Sequence, residues 1–262
     1  MSPHLSFFFT VVIIAVVCGF YRVDRQAAYG PPTAPAPVAI FIGKTALPDF
    51  TLYQQVGDKK QAFFAFMMKL INQENTRVLV LRHHLEHLST NRQSLSAAQQ
   101  DWLLELGSYY KTPTQAVDSD LFESLLVRVD VVPVSLVLAQ AANESAWGTS
   151  RFAVKGNNLF GQWCFNPGCG LVPSAREKGA NHEVASFKSA IKSVESYVHN
   201  LNTHRAYAEL RGIRARQRQQ NKALSGLVIA QGLSKYSSRG NAYVEEIQQL
   251  IRLNKLTQYD TL

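Results

Sequence analysis

Residues Val134 to Cys169 read VSLVLAQAANESAWGTSRFAVKGNNLFGQWCFNPGC and carry the most informative pattern in the chain. The segment from Ser135 to Trp147 is rich in Ala and Leu and apolar nearly all round, which predicts a buried helix. Glu144 is its one ionisable residue and lies near its end. We therefore expect a carboxylate among buried apolar side chains.

These surroundings of Glu144 predict a proton donor. Burial disfavours the charged carboxylate, so the pKa of a desolvated Glu lies above its usual value of roughly 4.3. A carboxyl group that is still protonated near neutrality can act as the general acid in glycosidic cleavage, where the leaving oxygen must receive a proton. The competing interpretation is a structural Glu that points into water or pairs with Arg151.

The composition is that of a folded protein. The 262 residues are 46% hydrophobic and 18% charged, which excludes wholesale disorder and allows one large domain or two small ones. Lys and Arg number 27 against 19 for Asp and Glu, and the net charge of +8 favours anionic partners. Three cysteines are too few for a disulfide-scaffolded miniprotein or a four-thiolate zinc site.

The first 22 residues predict a transmembrane or signal anchor. The run from Leu5 to Tyr21 is almost unbroken in apolar residues, and its length is close to the minimum that spans a bilayer. A cleaved signal peptide is the alternative. Two arginines follow the run (Arg22 and Arg25), and by the positive-inside rule they would direct the body inward. The Pro- and Ala-rich segment 23–57 predicts an extended linker.

Residues 58–130 predict a helical N-terminal part of the body. Apolar side chains recur at three-and-four spacing from Lys59 to His87, and a second helix capped by Ser94 extends to Tyr110. A third helix is expected from Leu121 to Val129. Pro133 then opens a fourth helix at its favoured first-turn position.

The first of these helices contains a short zinc-protease pattern. His83, Glu86 and His87 read H-x-x-E-H, with the two histidines one helical turn apart. No distant third ligand is evident, and exposed histidines beside Glu are common on amphipathic helices. We therefore expect no metal and no cofactor, and we keep a zinc hydrolase as the minor alternative.

Four separated blocks resemble the glucosaminidase domain of bacterial cell-wall hydrolases, glycoside hydrolase family 73, and in particular its Bax-like branch. In order, the blocks are RVDVVPVSLVLAQAANESAWGTSRFA, NNLFGQWC, VESYVHNLNTHRAY and LSKYSSRGNAYVEEI. This resemblance covers Phe63 to Tyr243 and implies that Glu144 is the catalytic acid. It also implies a mainly α (α+β) fold, with a lysozyme-like glucosaminidase domain over 131–262 that carries a small β-hairpin lobe.

The same resemblance suggests further site residues. Asn157 to Phe160 match a block that shapes the groove, with Asn158 and Phe160 as candidate substrate contacts; a capped turn with Phe160 in the core is the alternative. Trp147 is expected to pack against Glu144 and exclude water; plain core filling is its alternative role, and both can hold together. Tyr236 is the expected catalytic-site tyrosine and Tyr243 its support, although half-buried structural tyrosines are more frequent.

The second carboxylate is less defined. Many members of the family carry one on the hairpin lobe, and the matching segment 170–187 offers Glu177 and Glu183. Lys178 and Gly179 suit a strand end and turn, so Glu177 is preferred; a solvated hairpin charge is the alternative for both residues. Catalysis could instead use a water held by Tyr236 or the acetamido oxygen of the substrate.

Two further features concern the compartment and the partners. Cys164 and Cys169 flank a Pro-Gly turn, which favours a disulfide outside the cytoplasm and a free pair if the body faces inward. A basic segment follows at residues 205–222, without the interleaved aromatics of a nucleic-acid reader, so we interpret it as a solvated face and expect no nucleic acid.

The sequence as a whole predicts a peptidoglycan hydrolase that cuts the β-1,4 bond after N-acetylglucosamine. We expect its partners to be peptidoglycan glycan strands and the bacterial inner membrane, with the body facing the periplasm. This orientation conflicts with the one that Arg22 and Arg25 favour. The alternatives are a lytic transglycosylase, which shares a lone Glu on such a helix, and a noncatalytic, membrane-tethered wall-binding protein.

Overall fold

The computed structural model describes residues 46–260, except 115, 175, 177 and 178. The predicted anchor and most of the predicted linker lie outside the described residues. In the part of the chain that is described, no helix is both long enough and apolar enough to span a membrane.

The fold is mainly helical, as predicted, with one small sheet. The helices are α1 (Val56–Thr90), α2 (Ala97–Tyr109), α3 (Ser119–Arg128), α4 (Val134–Glu144), α5 (Arg151–Gly156), α6 (Ala190–Thr203), α7 (Ala208–Gln219), α8 (Gly226–Ile229) and α9 (Asn241–Leu253). The strands are β1 (Trp163–Cys164), β2 (Gly170–Leu171) and β3 (Glu183–Ala185). Buried apolar residues from Phe50 to Leu256 form one core, so 58–130 and 131–262 share it.

Helix α1 packs against α3, α4 and α6. The apolar residues whose three-and-four spacing predicted this helix are all buried: Phe63, Phe66, Met67, Leu70, Ile71, Val78, Leu81 and Leu85. The Asn75 side chain fixes the start of α4 by donating to the carbonyl of Val132 at 2.9 Å and accepting from the amide of the same residue. Phe50 packs edge-on against Phe63, so the core includes residues before 58, the start that we assigned to the helical body.

The second helix starts later than predicted. Ser96, and not Ser94, is the N-cap of α2, because its hydroxyl accepts from the Gln99 amide while the Gln99 side chain accepts from the Ser96 amide. Ser94 ends a separate turn of 3₁₀ helix. Two neighbouring serines fit the same sequence rule, and the reciprocal Gln bond selects between them.

Helix α4 is capped by the distant C-terminal end of the chain. Pro133 precedes α4 and supplies no side-chain cap, but the Asp260 carboxylate accepts from the amide of Ser135 at 2.9 Å and from its hydroxyl at 2.6 Å. A negative charge at a helix N-terminus is favourable. Gly226 also donates to Asp260, and its lack of a side chain allows contact with Ser135, where a Cβ would lie 2.0 Å from the hydroxyl oxygen.

The predicted end of α4 at Trp147 is wrong. The helix ends at Glu144, and Ala146, Trp147 and Gly148 all have positive φ. The Ser145 hydroxyl closes this turn by donating to the carbonyl of Ala141 and accepting from Gly148. The turn leaves Glu144 in the last helical position instead of one turn inside the helix.

The predicted hairpin lobe is a three-stranded antiparallel sheet in the order β1-β3-β2. The central strand β3 aligns Val184 with Trp163 on one side and with Leu171 on the other. The predicted Cys164–Cys169 disulfide is formed and closes the loop between the outer strands.

The basic segment 205–222 is not simply a solvated face. Arg214 is fully buried and donates to the carbonyls of Val127, Asp130 and Val131 at 3.0 to 3.2 Å. Burial alone would raise the pKa of Asp130, but the positive charges of Arg214 and Arg218 outweigh it and lower that pKa. Within the segment itself the acidic residue is Glu209. The folded chain adds a second carboxylate, that of Asp130 before α4, which pairs with Arg214 and Arg218.

Candidate functional site

A cavity of about 530 Å³ contains Glu144 and is bounded by four parts of the fold. These are the end of α4, the segment after α5, helix α6 and the residues leading into α9. Its lining consists of Asn143, Glu144, Phe160, Gly161, Gln162, Trp163, Asn200, Tyr207, Tyr236, Ser237, Ser238, Arg239 and Tyr243. Among these residues Glu144 is the only carboxylic acid.

Glu144 has two oxygens in different surroundings. Oε1 accepts a hydrogen bond from the Tyr243 phenol at 2.8 Å and a long one from Asn143 at 3.5 Å. Oε2 lies beside Gly161, where a Cβ would come within 3.6 Å of it. Burial raises the pKa of Glu144, and the bonds from Tyr243 and Asn143 offset part of this rise. Glu144 is therefore a half-buried carboxyl group. Tyr243 bonds to its Oε1, and Oε2 lies beside Gly161, which has no side chain.

A chain of buried hydrogen bonds supports Tyr243. The Tyr197 phenol donates to the side-chain carbonyl of Gln140, and the Gln140 amide donates to the Tyr243 oxygen at 2.9 Å. Tyr243 in turn donates to Glu144. Each group donates in the same direction, so the chain leaves the Tyr243 proton directed at the carboxylate.

Tyr236 and Tyr243 occupy roles opposite to those predicted. Tyr243 bonds directly to Glu144, whereas the Tyr236 phenol donates to the carbonyl of Phe160 at 2.9 Å. The two rings stack with centroids 5.3 Å apart and planes 6° apart. Tyr236 therefore lines the cavity and supports Tyr243 through its ring.

Asn158 is a structural residue, contrary to its predicted contact with substrate. It is 1% exposed, and its amide donates to the carbonyls of Gln162 and Ala185 while its oxygen accepts from the amides of Phe160 and Gln162. All of its hydrogen-bonding capacity goes to the backbone of the loop and of β3. Phe160 stacks on Tyr197 at 3.9 Å and is also buried, as in the alternative interpretation.

Trp147 is part of the left-handed turn after α4, and its side chain lies away from the cavity. Its ring packs edge-on against Phe63 at 5.9 Å and Phe64 at 5.3 Å, and the Lys60 ammonium lies 4.8 Å from its centroid. It does not line the cavity. The helix was expected to continue through Trp147, and its early end directs this side chain onto α1.

The two candidates for a second carboxylate differ in status. Glu177 lies outside the described residues. Glu183 accepts from the amides of Gly168 and Gly170 at 3.0 and 2.8 Å, and these bonds lower its pKa. Because it holds the disulfide loop and does not line the cavity, Glu183 is a structural carboxylate.

No built metal centre is found in the described part of the chain. The one cluster of three suitable side chains there is Cys164, Cys169 and Glu183, whose sulfurs form the disulfide. His83 and His87 are exposed on α1, and Glu86 between them pairs with Arg82.

Several residues of the site escaped the sequence analysis, among them Gln140, Tyr197 and Trp163. Gln140 could have been found as an amide in the middle of an apolar helix, since such a group needs buried partners. Tyr197 could not, because its partner is 57 positions away. Trp163 resembles any strand residue in the sequence, and only the fold shows it at the cavity.

Comparison with known proteins shows the family of this chain. The glucosaminidase family, described as mannosyl-glycoprotein endo-beta-N-acetylglucosaminidase, matches residues 119–256, which is more than half of the chain. The protein Bax of Escherichia coli K12 is 34% identical over 201 residues, covering 76% of this chain and 71% of Bax. The crystal structure of the catalytic domain of the autolysin Auto from Listeria monocytogenes aligns over 80% of this chain and 92% of that domain, with 20% identity and a TM-score of 0.39. The chain therefore belongs to the glucosaminidase family and is similar to Bax over most of its length.

Proposed function

We propose that this protein is a peptidoglycan hydrolase that cleaves the β-1,4 bond after N-acetylglucosamine, with Glu144 as the proton donor. The observation that supports this most is the half-buried Glu144, whose pKa is raised by burial, in a cavity within the family's matched region. A carboxyl group whose pKa is raised keeps its proton to higher pH, and beside an open cavity it can give that proton to the departing sugar oxygen.

In the proposed reaction, Oε2 of Glu144 gives its proton to the leaving oxygen as the bond from that oxygen to C1 breaks. Tyr243 holds Oε1 and stabilises the carboxylate that results. The oxocarbenium-like carbon is then captured by the acetamido oxygen of the same sugar or by a water, and Glu144 takes a proton back from the incoming water. The single described carboxyl group in the cavity favours the route through the acetamido oxygen.

The same observation supports a second candidate, a lytic transglycosylase. An enzyme of this kind needs one residue that acts first as the acid and then as the base. It forms a ring within the muramic acid, which leaves an anhydro end on the glycan. The two activities differ in product, so mass spectrometry of fragments released from purified sacculi by the full chain separates them. A new reducing N-acetylglucosamine supports our proposal, whereas an anhydro-muramic end supports the alternative.

Replacement of Glu144 tests whether the protein is an enzyme. Glu144→Gln keeps the size of the side chain and removes its acidity, so we expect digestion of sacculi to fall at least about a hundredfold, with sacculus binding retained. Unchanged digestion would exclude Glu144 as the acid. If the unaltered protein binds sacculi but releases nothing, the noncatalytic alternative applies.

The second carboxylate is tested by a pair of variants. We expect Glu183→Gln to lower the melting temperature, because two backbone amides lose a charged acceptor, and to reduce kcat less than about tenfold. Glu177→Gln is the informative partner. A loss of kcat above about a thousandfold in Glu177→Gln at unchanged stability would identify Glu177 as a catalytic carboxylate and exclude a mechanism with Glu144 alone.

We also propose that the body of the protein faces the periplasm and is held at the inner membrane by its N-terminal segment. The Cys164–Cys169 disulfide supports an oxidising compartment. Thiol labelling of intact cells and of isolated membranes tests this, since labelling of Cys164 and Cys169 without prior reduction contradicts it.

A further inference from the structure

Trp163 differs from the other aromatic residues of the cavity in its exposure. Its side chain is 60% exposed, whereas Phe160, Tyr207 and Tyr243 are each below 9%. A large apolar side chain left open beside a polar cavity suggests a binding role.

One face of the Trp163 indole is already covered. The imidazole of His182 stacks on it with centroids 4.1 Å apart and planes 17° apart. With His182 on one face and 60% of the residue open, the opposite face is free to receive a ligand.

The backbone beneath Trp163 is fixed on three sides. Trp163 pairs with Val184 in the sheet, and the next residue, Cys164, is tied to Cys169 by the disulfide. Glu183 holds the same loop through two backbone amides. A platform that is rigid before binding loses little conformational entropy when a ligand docks.

The neighbouring polar groups indicate the class of ligand. The polar residues Asn143, Asn200, Ser237 and Ser238 line the cavity that Trp163 borders. A β-linked pyranose presents ring C–H groups on its face and hydroxyl or amide groups around its edge. The C–H groups suit the electron-rich face of an indole, and the edge groups suit amides and hydroxyls.

We propose that Trp163 forms a saccharide subsite that stacks one pyranose ring of a β-1,4-linked N-acetylhexosamine chain. This inference rests on the proposed function, because the chain must also pass Glu144. Trp163 acts on binding and not on the proton transfer, so it raises affinity for long glycans and contributes nothing to a substrate too short to reach it.

Binding without cleavage tests the subsite directly. In full-length protein carrying Glu144→Gln, calorimetry with chitohexaose and chitobiose measures the affinity before and after Trp163→Ala. We expect Trp163→Ala to weaken chitohexaose binding about tenfold and Trp163→Tyr to restore most of the loss. Phe165→Ala is the matched control, because Phe165 is 64% exposed on the same loop and does not line the cavity.

The outcomes separate this inference from the proposed function. If Glu144→Gln protein binds chitohexaose and Trp163→Ala binds it equally well, the subsite is wrong and the proposed function stands. If Glu144→Gln protein binds no glycan, including purified sacculi, both fail. A loss in Phe165→Ala as large as that in Trp163→Ala would also overturn the assignment, whereas a rise in KM at unchanged kcat in the active background supports it.

Discussion

The phenol of Tyr243 donates a hydrogen bond to Oε1 of Glu144 across 99 positions of sequence, at 2.8 Å. Because Oε1 accepts this bond, the proposed mechanism assigns the donated proton to Oε2. Oε2 lies beside Gly161, which has no side chain to cover it. In the proposed mechanism, this bond leaves Oε2 as the oxygen that donates a proton to the substrate.

Removal of this bond should change the pH dependence of the reaction. The Tyr243 hydroxyl stabilises the ionised carboxylate, so Tyr243→Phe raises the pKa of Glu144 further. The acid then stays protonated to higher pH, so the alkaline limb of the kcat/KM profile moves to higher pH. We also expect kcat to fall about tenfold, because the Glu144 carboxyl is no longer held in its orientation. The measurement is kcat/KM against pH on sacculi.

Tyr236→Phe is the matched control for that experiment, because its hydroxyl bonds to the Phe160 carbonyl and not to Glu144. We expect its alkaline limb to stay where it is in the unaltered protein. An alkaline limb that moves to lower pH in Tyr243→Phe would contradict the proposed direction of the hydrogen bond.

Gly161 provides a second test of the proton-donating oxygen. Gly161 has φ +64°, so Gly161→Ala introduces backbone strain of about 1 kcal/mol and a methyl group 3.6 Å from Oε2. Gly168 has φ +80° with open space at its Cβ, so Gly168→Ala introduces similar strain without a new contact.

We expect both glycine variants to lose a similar amount of thermal stability, and only Gly161→Ala to lose at least about tenfold in kcat/KM. Melting curves and initial rates measure the two effects. Equal rates in the two variants would place the donated proton away from Gly161.

The sequence predicted what depends on local pattern. The spacing of apolar residues in α1 and the continuous apolar character of α4 are properties of consecutive residues, so both helices and the burial around Glu144 could be inferred. The end of α4 could not be inferred, because the left-handed turn begins at Ala146 and Trp147, before its glycine at Gly148, whereas glycine usually occupies the first left-handed position after a helix. The mistaken role of Trp147 follows from that error.

Long-range contacts account for the rest of what the sequence could not predict. The cap of α4 by Asp260 and the Tyr197–Gln140–Tyr243 chain join residues far apart in sequence. The interpretation of the basic segment failed for the same reason, since the charge that balances Arg214 and Arg218 is Asp130. A net charge along one segment cannot show which carboxylate from another element folds against it.

Arg214 should therefore be essential for stability. Arg214→Met removes the donors to four backbone carbonyls and leaves Asp130 with fewer positive neighbours, so we expect a loss of about 3 to 5 kcal/mol in the free energy of unfolding. Urea denaturation measures it. Arg216→Met on the same helix is exposed and should change stability by less than about 0.5 kcal/mol; a similar loss in both variants would contradict the buried role.

His199 should make the fold sensitive to acid. Burial, followed by the positive charges of Lys111 and Arg77, lowers the pKa of His199 to about 4. Its ring packs against Tyr109 at 4.3 Å, and its buried Nδ1 has no hydrogen-bond partner among the described residues. In the unfolded chain a histidine has a pKa near 6.5. Below about pH 6.5 the unfolded state therefore binds the proton that the folded state rejects, and stability falls until about pH 4.

Between pH 7.5 and 5 we expect this histidine to contribute a loss on the order of 1 kcal/mol, after allowance for its partial exposure. His199→Phe keeps a ring against Tyr109 and cannot take up a proton, so its free energy of unfolding should fall less over the same interval. Urea denaturation at the two pH values measures the difference. His83→Gln, at an exposed position of α1, should keep the full acid sensitivity. The same pH slope in His199→Phe and the unaltered protein would exclude His199 as the source, because only a group whose protonation differs between the two states can alter that slope.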